Sequence, residues 1–205
     1  MLEVVQLINS IYESITYLVI DNNSKICFLI DCGDSDLITH EIHKRGLFLK
    51  GIFITHSHFD HIYGLNYIMN EYPKIPVYTS AFGKKGLCSD KLNLSRYHLH
   101  PYIFQYCNTI KVLNEADIAN FCTNSKIEIF MTPGHDKSCL TYKIDNNLFT
   151  GDSFIPNIKV ITLFPNSNKV DAEVSKLRIL SLSKDCNLYP GHGRFYEKFQ
   201  PELYL

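Results

Sequence analysis

The sequence predicts an α+β fold in which β-sheets lie in the middle of the molecule and helices lie outside them. Short runs rich in aliphatic and aromatic residues alternate with helical stretches along the 205 residues. Hairpin patterns occur both early and late in the chain. No internal repeat, linker or low-complexity tract interrupts this order. Residues 1–205 are therefore expected to form one domain.

The first part of the chain predicts a hairpin, two helices and two further strands. The hairpin turns at residues 21–24, and Gly46 is a suitable C-cap for the first helix. A buried strand is predicted just before a histidine-rich run, and Pro73 closes the second helix. The predicted bounds are strands at 16–20 and 25–30, a helix from about 35 to 46, a strand at 51–55, a helix at 59–72 and a strand at 75–79.

The middle of the chain, residues 81–122, is aromatic-rich and shows no regular period. A structureless segment of this length is uncommon inside a compact domain unless it has a role. Two interpretations stay open. The segment is a lid or substrate wall whose aromatic side chains line a pocket, or its aromatic side chains pack against the rest of the domain.

The last part predicts a small β-structure with one helix. A hairpin is expected around the turn Asp145-Asn146-Asn147. The predicted bounds are strands at 126–132, 139–144, 148–150 and 186–189 and a helix at 172–183.

Composition limits the possible partners and the cellular location. The formal net charge is −1, which gives no electrostatic reason to expect nucleic acid. No apolar run is long enough for a membrane span, and no basic, apolar leader is visible, so a cytoplasmic protein with a small-molecule substrate is expected. The seven cysteines are odd in number and lack CxxC spacing, which favours reduced thiols over a disulfide framework.

A cluster of metal-binding residue types follows the strand at 51–55. His56, His58, Asp60 and His61 lie within six residues. Imidazole and carboxylate are typical ligands of zinc and related metals. His56 and His58 point the same way in an extended segment, so both can contact one ion. Asp60 and His61 lie where a helix begins and can turn toward a second ion.

Three later segments each place one potential ligand beside glycine just after a strand. Alone, each is better explained as a structural turn residue. Together they add metal-binding side chains at further strand ends, where functional residues commonly lie. The three segments are 132–136 with His135, 150–153 with Asp152, and 190–193 with His192.

These motifs, in this order, resemble the metallo-β-lactamase superfamily and in particular its glyoxalase II-like (hydroxyacylglutathione hydrolase-like) branch. The resemblance rests on Asp31-Cys32-Gly33 and on residues 55–61, 132–135, 150–152 and 189–193. It implies a four-layer αββα sandwich with metals at one edge between the sheets. It also implies a ligand set: His56, His58 and His135 at one ion, Asp60, His61 and His192 at a second, and Asp152 bridging both.

The expected activity is that of a metal-dependent hydrolase with two divalent ions, preferentially Zn²⁺, with Fe or Mn as alternatives. A bridging hydroxide would attack the carbonyl of a small ester or thioester, and Asp60 is the candidate catalytic residue that orients it. The formal charges of two divalent ions, two aspartates and one hydroxide sum to about +1. A slightly positive site of this kind would favour binding of an oxyanion. Only residues 193–205 follow His192, so the glutathione-binding helical extension of that branch is not expected. Glutathione conjugates are therefore doubtful substrates.

Other functions remain possible on the same motifs. The main alternatives are a mononuclear iron oxygenase of the persulfide dioxygenase type and a lactonase. A non-catalytic, metal-stabilised binding protein ranks lower because no ligand position is missing. Flavodiiron, RNA-processing and β-lactamase activities are disfavoured, since the chain lacks the flavin domain, the basic arms and the secretion signal that they use.

Several residues near the motifs carry weaker predictions. Lys137, Arg194 and Lys159 are equally suited to meeting an anionic substrate and to being solvated surface charges. Five other residues are expected to have no role at the metals. His98 and His100 are expected to be structural or surface residues, and His40 and His43 to lie on an exposed helix face. Cys32 is expected to be a buried thiol.

Overall fold

Two mixed β-sheets form the centre of the fold. The computed structural model describes residues 2–122 and 125–204. Within them the first sheet has six strands that lie side by side in chain order: β1 (Leu2–Ile8), β2 (Ile15–Asp21), β3 (Ile26–Ile30), β4 (Phe48–Phe53), β5 (Val77–Ser80) and β6 (Ile110–Leu113). The second sheet has five described strands in reverse chain order: β7 (Ile118–Cys122), β8 (Ser125–Met131), β9 (Leu140–Ile144), β10 (Asn147–Gly151) and β11 (Asn187–Pro190).

The helices cover the outer faces of the sheets. They are α1 (Ser35–Arg45), α2 (Leu65–Glu71), α3 (Ala81–Leu87) and α4 (Lys169–Leu182). Helix α1 ends at Gly46, whose φ of 62° is the left-handed conformation that glycine adopts without a Cβ penalty. The predicted C-cap is therefore confirmed. Helix α4 begins three residues before the predicted start, because the Asn168 side chain accepts hydrogen bonds from the first turn.

The core is divided into three apolar layers, and these establish the αββα sandwich. Strand β2 shows the pattern: Tyr17 and Val19 face the second sheet, whereas Leu18 and Ile20 face the layer that contains α1 and α2. This alternation is what a strand buried on both faces requires. A third layer packs α4 against the second sheet through residues such as Ile179 and Leu188. Helix, sheet, sheet and helix thus follow one another.

The segment 81–122 is more ordered than the sequence suggested. It contains α3, β6 and β7, so the expectation of an irregular stretch is wrong for these parts. Strand β6 is an edge of the first sheet and β7 is an edge of the second. The segment therefore carries the chain from one sheet to the other. Short strands that pair only at a sheet edge carry little periodic signal, and this explains the error.

Two further elements differ from prediction. The sequence did not predict β1, which pairs antiparallel with β2 at the sheet edge. The helix expected over 59–72 is interrupted: a 3₁₀ turn spans Phe59–His61 and α2 begins at Leu65. The His61 amide donates to the carbonyl of His58, three residues back, which tightens this turn. The other predicted strands and helices are found within a few residues of their expected bounds.

The thiols follow the sequence expectation where they are described. The six cysteines with described side chains are free, and Cys32 is fully buried in the core. The side chain of Cys122 lies outside the described residues. Across residues 2–122 and 125–204, no helix has the length and apolarity needed to cross a membrane.

Candidate metal centre

The seven predicted ligands lie together at one edge of the sandwich. Each follows the carboxyl end of a strand: β4 in the first sheet, or β8, β10 or β11 in the second. Backbone hydrogen bonds join the two sheets there, including Leu140 N to Thr55 O at 2.7 Å and Ile15 N to Gly191 O at 2.8 Å. The backbone on both sides of the site is therefore fixed before any ion binds.

One group of three imidazoles consists of His56, His58 and His135. Their ligand atoms all lie within 4.8 Å of one another, and all three residues are buried. His135 Nε2 lies 2.9 Å from His58 Nδ1. His56 Nε2 is buried without a hydrogen-bond partner. An orphaned buried nitrogen is costly, and a bound cation would satisfy it.

A second group consists of Asp60, His61 and His192. His61 Nε2 and His192 Nε2 lie 3.3 Å apart. The Asp60 carboxylate oxygen Oδ2 lies 3.4 Å from His61 Nε2 and 3.3 Å from His192 Nε2. Two imidazole nitrogens and one carboxylate oxygen thus converge, which is a donor set suited to zinc or iron.

Asp152 lies between the two groups. Its Oδ2 is 3.5 Å from His135 Nε2 and 3.4 Å from His192 Nε2, and its Oδ1 is 3.5 Å from His61 Nε2. Oδ1 is also buried without a hydrogen-bond partner. One carboxylate therefore faces both groups, as a ligand shared by two cations would. The residues fit a pair of divalent ions.

The imidazoles are held in place through the ring nitrogen that faces away from the site. Such outer contacts fix the tautomer and the orientation of a ligand. Four pairs show this arrangement: His56 Nδ1 with Thr55 Oγ1 (3.1 Å), His61 Nδ1 with Asp31 Oδ2 (2.9 Å), His135 Nδ1 with Ile161 O (2.9 Å) and His192 Nδ1 with Tyr12 O (3.0 Å).

Asp31 supports the site without being one of the predicted ligands. It also groups with His56 and His61 as a possible metal-binding trio. Its Oδ1 accepts from the Thr55 amide at 2.7 Å, and its Oδ2 contacts Thr55 Oγ1 at 2.8 Å as well as His61. Both oxygens are therefore already engaged. We assign Asp31 to positioning His61, because binding a metal would break these contacts.

Electrostatics at the site favour cations. Burial raises the pKa of Asp152, but the neighbouring imidazole of His61 and the hydrogen bond from His192 hold it well below its usual value. Burial, followed by His61 and His58, holds the pKa of His56 well below its usual value, so this ring stays neutral. Burial lowers the pKa of His192, yet Asp152 and Asp60 raise it to about 9. Protons and metal ions therefore compete for the same nitrogen.

A cleft of about 620 Å³ opens onto five of the seven predicted ligands. Four separate segments build its wall: the β1–β2 connection, the 3₁₀ turn that contains Phe59, the crossover segment (residues 81–122) and the loop before α4. The wall outside the ligands includes Tyr12, Phe59, Tyr97, His98, Ile161 and Phe164. A smaller cavity of about 290 Å³ shares Ile161 with it and is lined by Lys159.

The three candidate cations differ in whether they line one of the two cavities. Lys159 lines the smaller cavity. Lys137 Nζ lies 5.4 Å from the centre of the Phe82 ring, and the Arg194 guanidinium lies 5.0 Å from the Tyr196 ring. Neither Lys137 nor Arg194 lines the cleft or the smaller cavity. Lys159 is thus the best placed of the three to meet a negatively charged substrate group.

The remaining histidines divide between surface and cleft. His40, His43 and His100 are exposed, as expected. His98 is half-buried, packs 4.8 Å from the Phe59 ring and lines the cleft, so it is more than a surface residue. It takes no part in the two ligand groups.

Sequence reasoning missed several residues that shape the site. Asp31 was recognised as part of a motif without a role, and its positive φ of 62° distinguishes it in the structure. Asp136, next to a predicted ligand, lies 3.7 Å from His58 Nε2. Tyr12 and Ile161 contribute backbone carbonyls. A carbonyl oxygen is present at every residue, so no sequence signal marks these two.

The profile of the metallo-beta-lactamase superfamily matches residues 13–192 of this chain. A hydroxyacylglutathione hydrolase from Buchnera aphidicola subsp. Baizongia pistaciae is 33% identical over 136 residues, which covers 64% of this chain and 44% of the relative. This chain spans about half the length of the first hydroxyacylglutathione hydrolases that it matches.

Two solved structures share the fold at low identity. The crystal structure of BLEG-1 B3 metallo-beta-lactamase superposes with a TM-score of 0.84 at 22% identity, covering 95% of this chain and 93% of the other. TTHA1623 in a di-iron-bound form superposes with a TM-score of 0.79 at 22% identity, covering 97% and 96%. At this identity the likeness shows the fold alone.

Proposed function

The chain belongs to the metallo-beta-lactamase superfamily, and from that premise we propose that it is a dinuclear metal-dependent hydrolase of small esters or thioesters. The proposed ligands are His56, His58 and His135 for one ion, Asp60, His61 and His192 for the other, and Asp152 for both. Zn²⁺ is the preferred metal, with Fe and Mn as alternatives.

The placement of Asp152 carries this proposal. A site for a single ion needs only one of the two ligand groups, whereas the Asp152 carboxylate faces both. Bound divalent ions would supply Lewis-acid chemistry, lowering the pKa of water and polarising a carbonyl oxygen. Five of the seven side chains line the cleft, namely His58, Asp60, His135, Asp152 and His192, so that chemistry would be open to a substrate there.

Asp60 is proposed to orient the attacking water. Both of its contacts with histidines use Oδ2. Oδ1 is therefore available to accept a hydrogen bond from a water molecule in the cleft, to which Asp60 contributes part of the wall. Burial raises the pKa of Asp60, but His61 and His192 bring it below its usual value. The group is thus an acceptor at neutral pH.

Thioesters fit this proposal because their thiolate leaving group needs little proton donation. A thiol has a pKa of about 8.5, so a thiolate departs readily at neutral pH. The relatives named hydroxyacylglutathione hydrolase support the thioester class. Glutathione itself is not part of the proposal.

The test combines metal analysis with a substrate panel. Protein purified without added metal is analysed for zinc, iron and manganese, and wild type, chelated wild type and Asp152→Ala are assayed on esters, thioesters and lactones. Two ions per chain and hydrolysis that falls by at least about 10³-fold in Asp152→Ala would support the proposal. One iron per chain with oxygen consumption on a persulfide would instead identify the oxygenase alternative. Equal inactivity of all three preparations across the panel would favour a non-catalytic scaffold.

A further inference from the structure

Among the described residues, the wall of the larger cleft outside the proposed ligands is mostly apolar and has no lysine or arginine. Apart from the proposed ligands, the described residues that line it are Tyr12, Phe59, Leu94 and Tyr97, together with His98, Ile161, Phe164 and Pro165. A wall with no lysine or arginine offers no ion-pair partner to an anionic substrate body. It offers instead aliphatic and aromatic surface next to the metal ligands.

The mouth of the cleft extends this surface into solvent. Three side chains of the wall, Tyr12, Tyr97 and Ile161, are 67%, 74% and 52% exposed. Exposed apolar side chains that line one cleft, unlike scattered ones, indicate a binding surface. Their apolar area would leave water when a ligand with an extended apolar portion enters.

The metal-ligand contacts hold this apolar wall in place. The Tyr12 carbonyl accepts from His192, and the Ile161 carbonyl accepts from His135. Ser167 Oγ donates to the His135 carbonyl at 2.5 Å, which ties the loop before α4 to the same ligand. The wall therefore stands at a fixed distance from the reacting centre and does not need to be ordered by the substrate.

We propose that the cleft binds a neutral alkyl chain on one side of the scissile ester or thioester bond. This inference rests on the proposed function. The proposed substrate therefore differs from small hydroxyacyl conjugates of anionic peptides. The single lysine in the smaller cavity can meet a charged group on the other side of the bond.

A chain-length series tests the proposal. The probes are 4-nitrophenyl esters with acetyl, butanoyl, hexanoyl and octanoyl groups, and acetate esters of alcohols of the same lengths. Each buried methylene is worth about two- to four-fold, so kcat/KM is expected to rise at least about 50-fold from the shortest to the longest member of one series. A flat or falling dependence in both series, with S-lactoylglutathione preferred, would overturn the inference while leaving the proposed function standing.

A double variant tests whether the dependence of kcat/KM on chain length arises in this cleft. Tyr97→Ser with Ile161→Ser removes two exposed apolar side chains and keeps the Ile161 carbonyl that His135 needs. The octanoyl-to-acetyl ratio of kcat/KM is expected to fall about tenfold. The matched control is Val174→Ser, an equally exposed apolar residue on α4 outside the cleft wall, for which the ratio should not change. An unchanged ratio in the double variant would contradict the assignment of the cleft.

A binding measurement separates this inference from the proposed function. Octanamide and butanamide are neutral and resist hydrolysis, and their binding is followed by saturation-transfer NMR with wild type and the double variant. Octanamide is expected to bind at least about tenfold more tightly than butanamide, and the double variant should lose this preference. If no ester or thioester is hydrolysed, the proposed function fails, and this preference alone supports the cleft assignment. Equal binding of the two amides would overturn it.

Discussion

The proposed metal ligands and the outer wall of the cleft differ in how deeply their side chains are buried. His61 is fully buried and is bound through both ring nitrogens, with Asp31 on one side and the metal-facing cluster on the other. Tyr97, which lines the cleft, is instead 74% exposed. The comparison shows a buried floor of tightly bonded polar side chains beneath a solvent-exposed rim. The proposed metal binding would require a fixed geometry of the floor, whereas the rim has only to present apolar surface.

The sharpest test of this floor is Gly191→Ala. A Cβ at this position would lie 2.1 Å from Asp152 Oδ1 and 2.9 Å from His61 Cε1, so the shared carboxylate must move. Displacements of about 1 Å can cost 10²-fold, and kcat/KM is expected to fall by at least that factor together with metal content. The assays are ester hydrolysis and elemental analysis.

Gly193→Ala provides the control for that substitution. An added Cβ there meets nothing within 4 Å, and only the φ of 83° is unfavourable. The variant is expected to lose about 1–3 kcal/mol of folding stability but to keep its metals. A Gly191→Ala protein with full metal content and wild-type activity would contradict the account of a crowded floor.

A smaller effect is expected when the support behind one ligand is weakened. Asp31→Asn keeps the shape and tolerates the positive φ but loses the negative charge beside His61. Loss of such an outer carboxylate typically costs 10–100-fold in metal affinity. Competition with a chromophoric chelator measures this, with the exposed Asp36→Asn as a matched control. If both variants bind metal like wild type, Asp31 has no positioning role.

Metal removal should affect the stability of the whole fold to a moderate extent. A ligand at 100 times its dissociation constant stabilises the native state by about 2.7 kcal/mol, and for a domain of this size that corresponds to about 5–10 °C in Tm. Calorimetry of metal-loaded and chelated protein measures the difference, and Asp31→Asn should reduce it. Identical melting temperatures with and without bound metal would show that the seven side chains do not bind ions in the folded state.

The smallest expected effect concerns the loop that carries Tyr12. Asp34 holds this loop by accepting from the Ser10 amide at 2.7 Å and from Tyr63. Asp34→Ala is expected to cost about 1–2 kcal/mol of stability at pH 6. Burial raises the pKa of Asp34, but the hydrogen bonds from Tyr63 and Ser10 bring it below its usual value.

This lowered pKa gives the prediction a pH dependence with a definite sign. Because the folded pKa lies below the unfolded value of about 3.9, the stabilisation is fully present above that pH and is lost as the pH falls through the folded pKa. Urea unfolding of chelated wild type and Asp34→Ala should therefore differ more at pH 6 than at pH 3. An equal difference at both pH values would mean that the carboxylate charge is not involved.

The sequence predicted the floor better than the rim, for a physical reason. Few residue types can bind divalent ions, so His56, His58 and His61 just after a buried strand form a recognisable pattern. The structure brings them together with the other four residues singled out from the sequence. Their identity as ligands stays a prediction until metal is analysed, and so does the single domain over residues 1–205.

The rim could not be derived from local pattern because tertiary structure creates it. Tyr97 and His98 reach the cleft because the crossover segment passes from the first sheet to the second over this edge. Phe104 in the same segment is instead buried in the core. Both interpretations of the segment therefore hold for different parts of it. Aromatic residues with opposite fates look alike in the sequence, and only the path of the chain separates them.

Tyr12 and Ile161 have a consequence for how this site changes over generations. In each residue the main chain orients an imidazole proposed to bind a metal ion, while the side chain forms part of the cleft. Point substitutions at these positions leave the carbonyl oxygen in place, so selectivity can drift without loss of the ions. Insertions or deletions in the same loops would displace that oxygen. We therefore expect natural variants of this cleft to vary in side-chain identity while conserving loop length.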